Sequence, residues 1–403
     1  MRFGRHNSKE GELVRREAVI RNMDEFIICG GTIVTGTLEP NNRLAVSKGK
    51  IRFLKTGEEL SGVKTISAEG LYIAPGLIDL HVHGGYGADV LDGTRESLEQ
   101  ITAYHGRCGT TGLVAAVAAA PLEQMADALA AVARYAGQEK GARVLGTHLE
   151  GPFLNPRFNG AMEQKTLKQP DLKIAEELLA AGCGTVKVTT LAPELPGGLE
   201  VVEMLAASGV IPAVGHSGAT FEETLKAGQL GLRHVTHIFN AMAGLHHRKP
   251  GPAGAAIFSD GFSVDVIADG VHIHPCLLKM LWQLKREDLL LISDAVAVAG
   301  LPEGRYRLWG RDLEVSRNKA TMAGGRLAGS TVPLLAAVKN MARSCGLTLP
   351  QAMRLASTNP ARILGLTSKG QIAEGFDADV LLLDHDYNLH LVIAGGQILF
   401  SRV

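Results

Sequence analysis

The sequence predicts an α/β protein, a (β/α)8 TIM barrel with a small β-sandwich built from both chain ends, on three observations. Eight short apolar or β-branched runs recur along residues 75–365 with helical segments between them, the count such a barrel requires. The flanks, residues 24–74 and 366–403, carry short alternating runs broken by Gly and Asn, as β-hairpins do, and neither flank makes a comfortable domain alone. Finally, the side chains able to do chemistry fall at one common end of the eight runs. A doubly wound open sheet is the alternative, but it would show fewer strands and no ring of polar strand ends.

Residues 1–23 read as an extension, because Arg2 and Arg5 are followed by the polar stretch "HNSKEGELVRRE" and no secretory leader is expected. The first flank, "DEFIICGGTIVTG" through "KTISAEGLYIAP", gives β-hairpins. Candidate barrel strands follow at 76–80, 112–119, 143–149, 186–191, 210–215, 233–236, 263–268 and 289–293. Between them lie "PLEQMADALAAVARYAG", "DLKIAEELLAAG", "GLEVVEMLAASG", "TFEETLKAGQLG" and "HPCLLKMLWQLK", amphipathic or alanine-rich segments that tend to end at Gly. The stretch 305–324, "RYRLWGRDLEVSRNKATMAG", reads as β-structure inserted after the last barrel strand or joined to the end sheet, and "GGRLAGS" beyond it as closing the active-site edge. The last flank returns to hairpins.

Composition narrows the function classes. Lys+Arg and Asp+Glu balance at 41 each, leaving no electrostatic footprint for nucleic acid or an anionic membrane, so a small-molecule partner is expected. The longest apolar stretch, "GLVAAVAAAP", is far short of the roughly 18 residues of a membrane span. Five scattered cysteines with no CxxC spacing argue against a disulfide framework and a thiolate zinc site, and fit a cytoplasmic location.

The strand ends carry the chemistry. In "APGLIDLHVHGG" His81 and His83 are two apart, so on a strand they point the same way; alone they read equally as a polar strand end. The third run, "VLGTHLEGPF", ends in Glu150, with His148 on the same face. The fifth, "VIPAVGHSGAT", ends in His216, and the sixth, "LRHVTHIFNAM", in His237. The eighth, "LLLISDAV", ends in Asp294, which as a bland alternative caps the next helix. Nitrogen and oxygen donors without thiolate suit a divalent metal, Zn2+ first, with Fe2+, Mn2+ or Co2+ as alternatives.

This strand-by-strand pattern is similar to that of the amidohydrolase superfamily. Within it, "HLEGPFLNP", "GHSGAT", "THIFNAM", "HRKPGPAGA", "ADGVHIHP", "SDAV" and "ASTNPARILGL" resemble the N-acetylglucosamine-6-phosphate deacetylase family over residues 27–403. The resemblance implies a homodimeric enzyme of amino-sugar catabolism acting on a phosphorylated amino sugar with one or two metals per subunit. Glu150, His216 and His237 would bind the principal ion, and His81 and His83 would help hold a second. Asp294 would be the general base and acid, and His272 would contact the substrate carbonyl or sugar. Asn240, the backbone at Ala241, Arg248 and His247 would hold the phosphate; Arg248 beside Lys249 reads alternatively as a solvated loop pair. Two departures bear on the sugar: Met162 stands where the family often has His, and "AAVAAAP" lacks hydroxyl side chains. N-acetylgalactosamine 6-phosphate, or the substrate of another amidohydrolase such as a deaminase or N-acyl-amino-acid deacylase, is the alternative.

Overall fold

A computed structural model describes residues 25–55, 57–58 and 60–402; the expected extension 1–23 lies outside them. The first flank supplies five strands, β1 (Glu25–Val34), β2 (Leu38–Ser47), β3 (Lys50–Phe53), β4 (Lys64–Ser67) and β5 (Tyr72–Pro75). The eight candidate runs then fold as β6 (Leu77–Val82), β7 (Thr110–Ala118), β8 (Arg143–Glu150), β9 (Val186–Leu191), β10 (Ile211–Val214), β11 (His234–Val235), β12 (Ser263–Ile267) and β13 (Leu289–Ile292). Each of these pairs in parallel with the next. The ring closes where the Asp294 N–H donates to the His81 carbonyl at 3.1 Å and the His83 N–H to the Ala295 carbonyl at 2.8 Å.

Both faces of these strands are covered, which is why β6 and β7 are buried along their whole length. The helix Leu122–Tyr135 shows how the outside is sealed: Met125, Ala128, Leu129 and Val132 lie three and four apart and all are buried. Inside the barrel, Ile78, Leu80, Val114, Ile267, Leu290 and Ile292 fill the lumen below the mouth. Pairing between β6 and β7 is irregular between Asp79 and Val82, and that irregularity changes the alternation of β6. Leu80 faces the lumen and Val82 the outer core, so His81 and His83, on either side of Val82, both turn inward.

The chain ends meet as expected. The strands β18 (Val380–Leu383), β19 (Leu389–Ala394) and β20 (Gln397–Ser401) continue the first flank, with β18 antiparallel to β5. All eight flank strands belong to one hydrogen-bonded sheet around a shared core that includes Phe26, Ile28, Leu44, Ile73, Val380 and Leu391. The insertion forms a separate antiparallel sheet, β14 (Gly304–Leu308), β15 (Arg311–Ser316), β16 (Lys319–Met322) and β17 (Leu327–Ser330). Its last strand is tied to the mouth of the barrel, since the Ser330 N–H donates to the Asp294 carbonyl at 2.8 Å. The inserted sheet therefore stands beside the C-terminal end of β13.

Candidate active site

Four imidazoles and two carboxylates converge at the barrel mouth. Glu150 Oε1 lies 3.0 Å from His237 Nε2 and 3.1 Å from His216 Nε2, while Oε2 lies 3.2 Å from His83 Nε2. The Nε2 atoms of His81 and His83 are 2.9 Å apart, and Asp294 Oδ1 stands 3.7 Å and 3.5 Å from them. All six residues are buried, and they fall into two triads of potential ligands, His81–His83–Asp294 and Glu150–His216–His237.

Backbone strain aims three of these groups. His216, His237 and Asp294 have φ of 50°, 35° and 50°, a left-handed conformation that costs non-glycine residues on the order of 1 kcal/mol each. Neighbouring groups hold them there. The His237 N–H donates to Asp265 Oδ1, and the other Asp265 oxygen pairs with His234 Nε2 at 2.9 Å. His216 Nδ1 donates to the Phe158 carbonyl at 2.8 Å, which leaves the Nε2 lone pair facing Glu150. Below the mouth, His148 packs against His81 with ring centroids 4.3 Å apart and bonds Thr190 Oγ1 at 2.7 Å.

The donor set fits a divalent cation. Two imidazole nitrogens at hydrogen-bond distance from each other, and both near carboxylate oxygens, present lone pairs to one small volume that only positive charge can reconcile. Without a metal, protons supply that charge. Burial pulls the imidazoles of His83 and His237 down, but the hydrogen bond and charge of Glu150 outweigh it and hold both at about 9. Burial likewise pushes Glu150 up, yet the surrounding imidazoles keep its carboxyl well below the usual range. Such a proton-held cluster of N and O donors, with no thiolate, is what a borderline divalent ion replaces.

A cavity of about 320 Å³ opens over the cluster. Of the residues singled out in the sequence, His83, Glu150, His216, His237, Asn240, Ala241, His272 and Asp294 line it, as does Met162. His81 lies fully buried beside them. His272 Nδ1 bonds Asp269 Oδ2 at 2.7 Å, and Asp269 Oδ1 takes the N–H groups of Val271 and His272. Burial pushes the Asp269 carboxyl up, but these bonds, His272 foremost, keep it below its ordinary value. Arg248 and His247 are not brought to the cavity wall: both are exposed on the loop after Ala241, where Arg248 Nη1 contacts His247 Nε2 at 2.9 Å.

The sequence reading missed several wall residues. The loop after β8 brings Gly160 and Ala161, and the inserted sheet brings Trp309, Arg326, Leu327 and Gly329. Gly160 has φ +54°, and a Cβ there would stand 2.9 Å from His216 Cε1. Asp269 carried a legible signal, an acid three residues before His272. Arg326, Leu327 and Gly329 lie in "GGRLAGS", the stretch expected to close the site edge, whereas Trp309 lies in the stretch 305–324, read only as β-structure.

A closed parallel barrel with imidazoles and carboxylates gathered at the C-terminal end of its strands is the frame of a metal-dependent hydrolase. The model for the amidohydrolase family matches residues 72–399, and the chain belongs to that family and is a metal-dependent hydrolase acting on an amide. The N-acetylglucosamine-6-phosphate deacetylase of Lysinibacillus sphaericus is 36% identical over 360 residues, covering 87% of this chain and 91% of that one. The N-acetylgalactosamine-6-phosphate deacetylase of Escherichia coli O157:H7 is 35% identical over 328 residues, 81% of this chain and 87% of that one. The crystal structure of N-acetyl-D-glucosamine-6-phosphate deacetylase from Mycobacterium smegmatis superposes with a TM-score of 0.87 at 33% identity, covering 93% of this chain and 100% of that one. Among the described residues, no helix is long and apolar enough to cross a membrane.

Proposed function

We propose that this chain hydrolyses the acetamide of N-acetylglucosamine 6-phosphate to glucosamine 6-phosphate and acetate. The observation that carries the reading is the convergence of Glu150, His216 and His237 within hydrogen-bond distance, with Asp294 facing the same cavity. Glu150, His216 and His237 would hold the principal ion, and His81 and His83 would contribute to a second. Zinc is the first choice for this donor set, and a cytoplasmic homodimer is the expected form of the enzyme; all five cysteines are free thiols. A divalent ion bound here supplies Lewis acidity, lowering the pKa of a water from about 15.7 toward 7 and polarising the amide carbonyl.

The protein's own groups do the rest. Asp294 accepts the proton of the attacking water on its carboxylate and delivers it to the departing amine, so one group serves both steps. His272, anchored through Nδ1 by Asp269, lines the cavity and contacts the substrate carbonyl oxygen as negative charge develops on it. Asn240 and the backbone of Ala241 face the phosphate end of the substrate. Arg248 and His247 reach that end only if their exposed loop folds over the cavity.

The test is amine release by metal-loaded protein from N-acetylglucosamine 6-phosphate, N-acetylgalactosamine 6-phosphate and unphosphorylated N-acetylglucosamine. The reading predicts preference for the first. Preference for the second would favour the galactosamine reading, which the Escherichia coli relative keeps open. Metal-loaded protein that releases amine from none of the three would sink both.

A further inference from the structure

We infer that Glu194 is the positioning residue that presents His216 to the principal ion, an assignment that rests on the ligand set proposed above. Glu194 follows β9, the strand between the one that ends in Glu150 and the one that leads to His216. Its partly buried carboxylate takes three hydrogen bonds from the loops on either side. Asn155 Nδ2 and the Gly218 N–H donate to Oε1 at 2.9 and 2.6 Å, and Ser217 Oγ donates to Oε2 at 2.7 Å. A carboxylate only accepts, so the Asn155 amide must turn its NH2 to Glu194. That leaves Asn155 Oδ1 to take the Arg157 N–H at 3.0 Å.

These bonds hold His216 by its backbone and by its ring. Ser217 and Gly218 directly follow it, so the grip of Glu194 on both fixes the chain where His216 takes its strained φ of 50°. On the other side, the Asn155 N–H donates to the His216 carbonyl at 3.0 Å, and Asn155 caps the turn Pro156–Phe158. The last carbonyl of that turn, Phe158, is the one that takes His216 Nδ1 at 2.8 Å. The hydrogen bonds therefore close a ring from Glu194 through Asn155, the turn, His216 and Ser217 back to Glu194. Packing is tight across it: a Cβ on Gly218 would lie 2.7 Å from Phe158 Cε2. With the Phe158 carbonyl in place, Nδ1 keeps the proton and Nε2 keeps its lone pair toward Glu150. Without Glu194, nothing in this ring fixes the turn against the residues after His216, and the imidazole is free to rotate or exchange its proton.

The experiment measures Zn2+ affinity by chelator competition, the d–d absorption of the Co2+-loaded protein and the melting temperature of the metal-stripped protein. It compares wild type with Glu194→Ala, Glu194→Gln, Asn155→Ala and the ligand variant His216→Ala. Glu139→Ala serves as the structural control, because Glu139 likewise accepts backbone N–H groups, from Gly137 and Val144, but before β8 rather than at the barrel mouth. Glu194→Ala should bind Zn2+ about 10- to 100-fold more weakly and shift the Co2+ spectrum. Asn155→Ala should reproduce that loss, and Glu194→Gln, which keeps the length and one acceptor oxygen, should recover part of it. Glu139→Ala should lower the melting temperature while leaving Zn2+ affinity within about threefold of wild type. If Glu194→Ala does not fold, Glu194→Gln and Asn155→Ala carry the comparison. Zn2+ affinity and Co2+ spectrum unchanged in the Glu194 and Asn155 variants, with only the melting temperature lowered, would make Glu194 a brace between loops and overturn the assignment. Wild-type affinity in His216→Ala would remove the metal from His216, and the ligand reading would fall first, taking this inference with it.

Discussion

Glu150 and His237 come from strands 87 positions apart, yet their Oε1 and Nε2 atoms meet at 3.0 Å, with His216 Nε2 3.1 Å from the same oxygen. One carboxylate charge therefore organises the imidazoles at the barrel mouth. Glu150→Gln removes that charge at nearly constant volume and should lower metal affinity by at least about 100-fold, with far-UV circular dichroism unchanged. Chelator competition measures it, and an affinity within tenfold of wild type would show that the metal is held elsewhere.

Metal loading should expel protons. His83 and His237 stand at about 9 without metal, so both are protonated at pH 7, and a metal binds imidazole only in its neutral form. Calorimetry in buffers of different ionisation enthalpy should report on the order of two protons released per protein at pH 7, and affinity should rise with pH toward 9. Proton-neutral loading would contradict the ligand set.

Gly160 is the tightest point of the wall. With φ +54° and a virtual Cβ 2.9 Å from His216 Cε1, Gly160→Ala must either strain its loop or push the imidazole. Activity should fall tenfold or more while the melting temperature of the metal-stripped protein drops only modestly, by a stability cost of about 1–3 kcal/mol. Wild-type kinetics in this variant would mean the loop moves freely away from His216.

The barrel was legible because its strands are covered on both faces, and a short apolar run between amphipathic helices has few other fates. Glu150, His216, His237 and Asp294 were legible because each is the first chemistry-bearing residue after such a run. His81 and His83 gather there too, but for a reason the simple alternation rule does not contain: Leu80 also faces the lumen, and the irregular pairing of β6 is what turns the histidines inward. What pattern could not supply was contact between distant segments. Arg326, on a hairpin more than 160 residues from Gly160, reaches its carbonyl only through the tertiary fold. Arg248, whose loop has the residue types of an anion site, is exposed and is not among the residues lining the cavity of this one chain.

Acid should destabilise the protein partly through His105. Its ring is fully buried and bonds the Gly84 carbonyl at 3.0 Å, and burial drives it down to about 4. The unfolded imidazole titrates near 6.5, so between pH 6.5 and 4 the unfolded chain binds a proton that the folded one refuses. Stability contributed by the neutral ring is whole above about pH 6.5 and lost as pH falls toward 4, by about 3 kcal/mol. Thermal unfolding of metal-stripped wild type and His105→Gln from pH 7.5 to 4.5 tests this; the variant should show the shallower slope, and equal slopes would assign the acid sensitivity to other groups.

The central claim is that Asp294 moves the proton at a metal site built on Glu150. The most direct measurement is the single-turnover rate of acetate release from N-acetylglucosamine 6-phosphate by Asp294→Asn, with bound metal determined on the same sample. The account predicts a rate lowered by about 10²- to 10⁴-fold while at least one equivalent of metal is retained. A metal-loaded variant turning over within tenfold of wild type would contradict it.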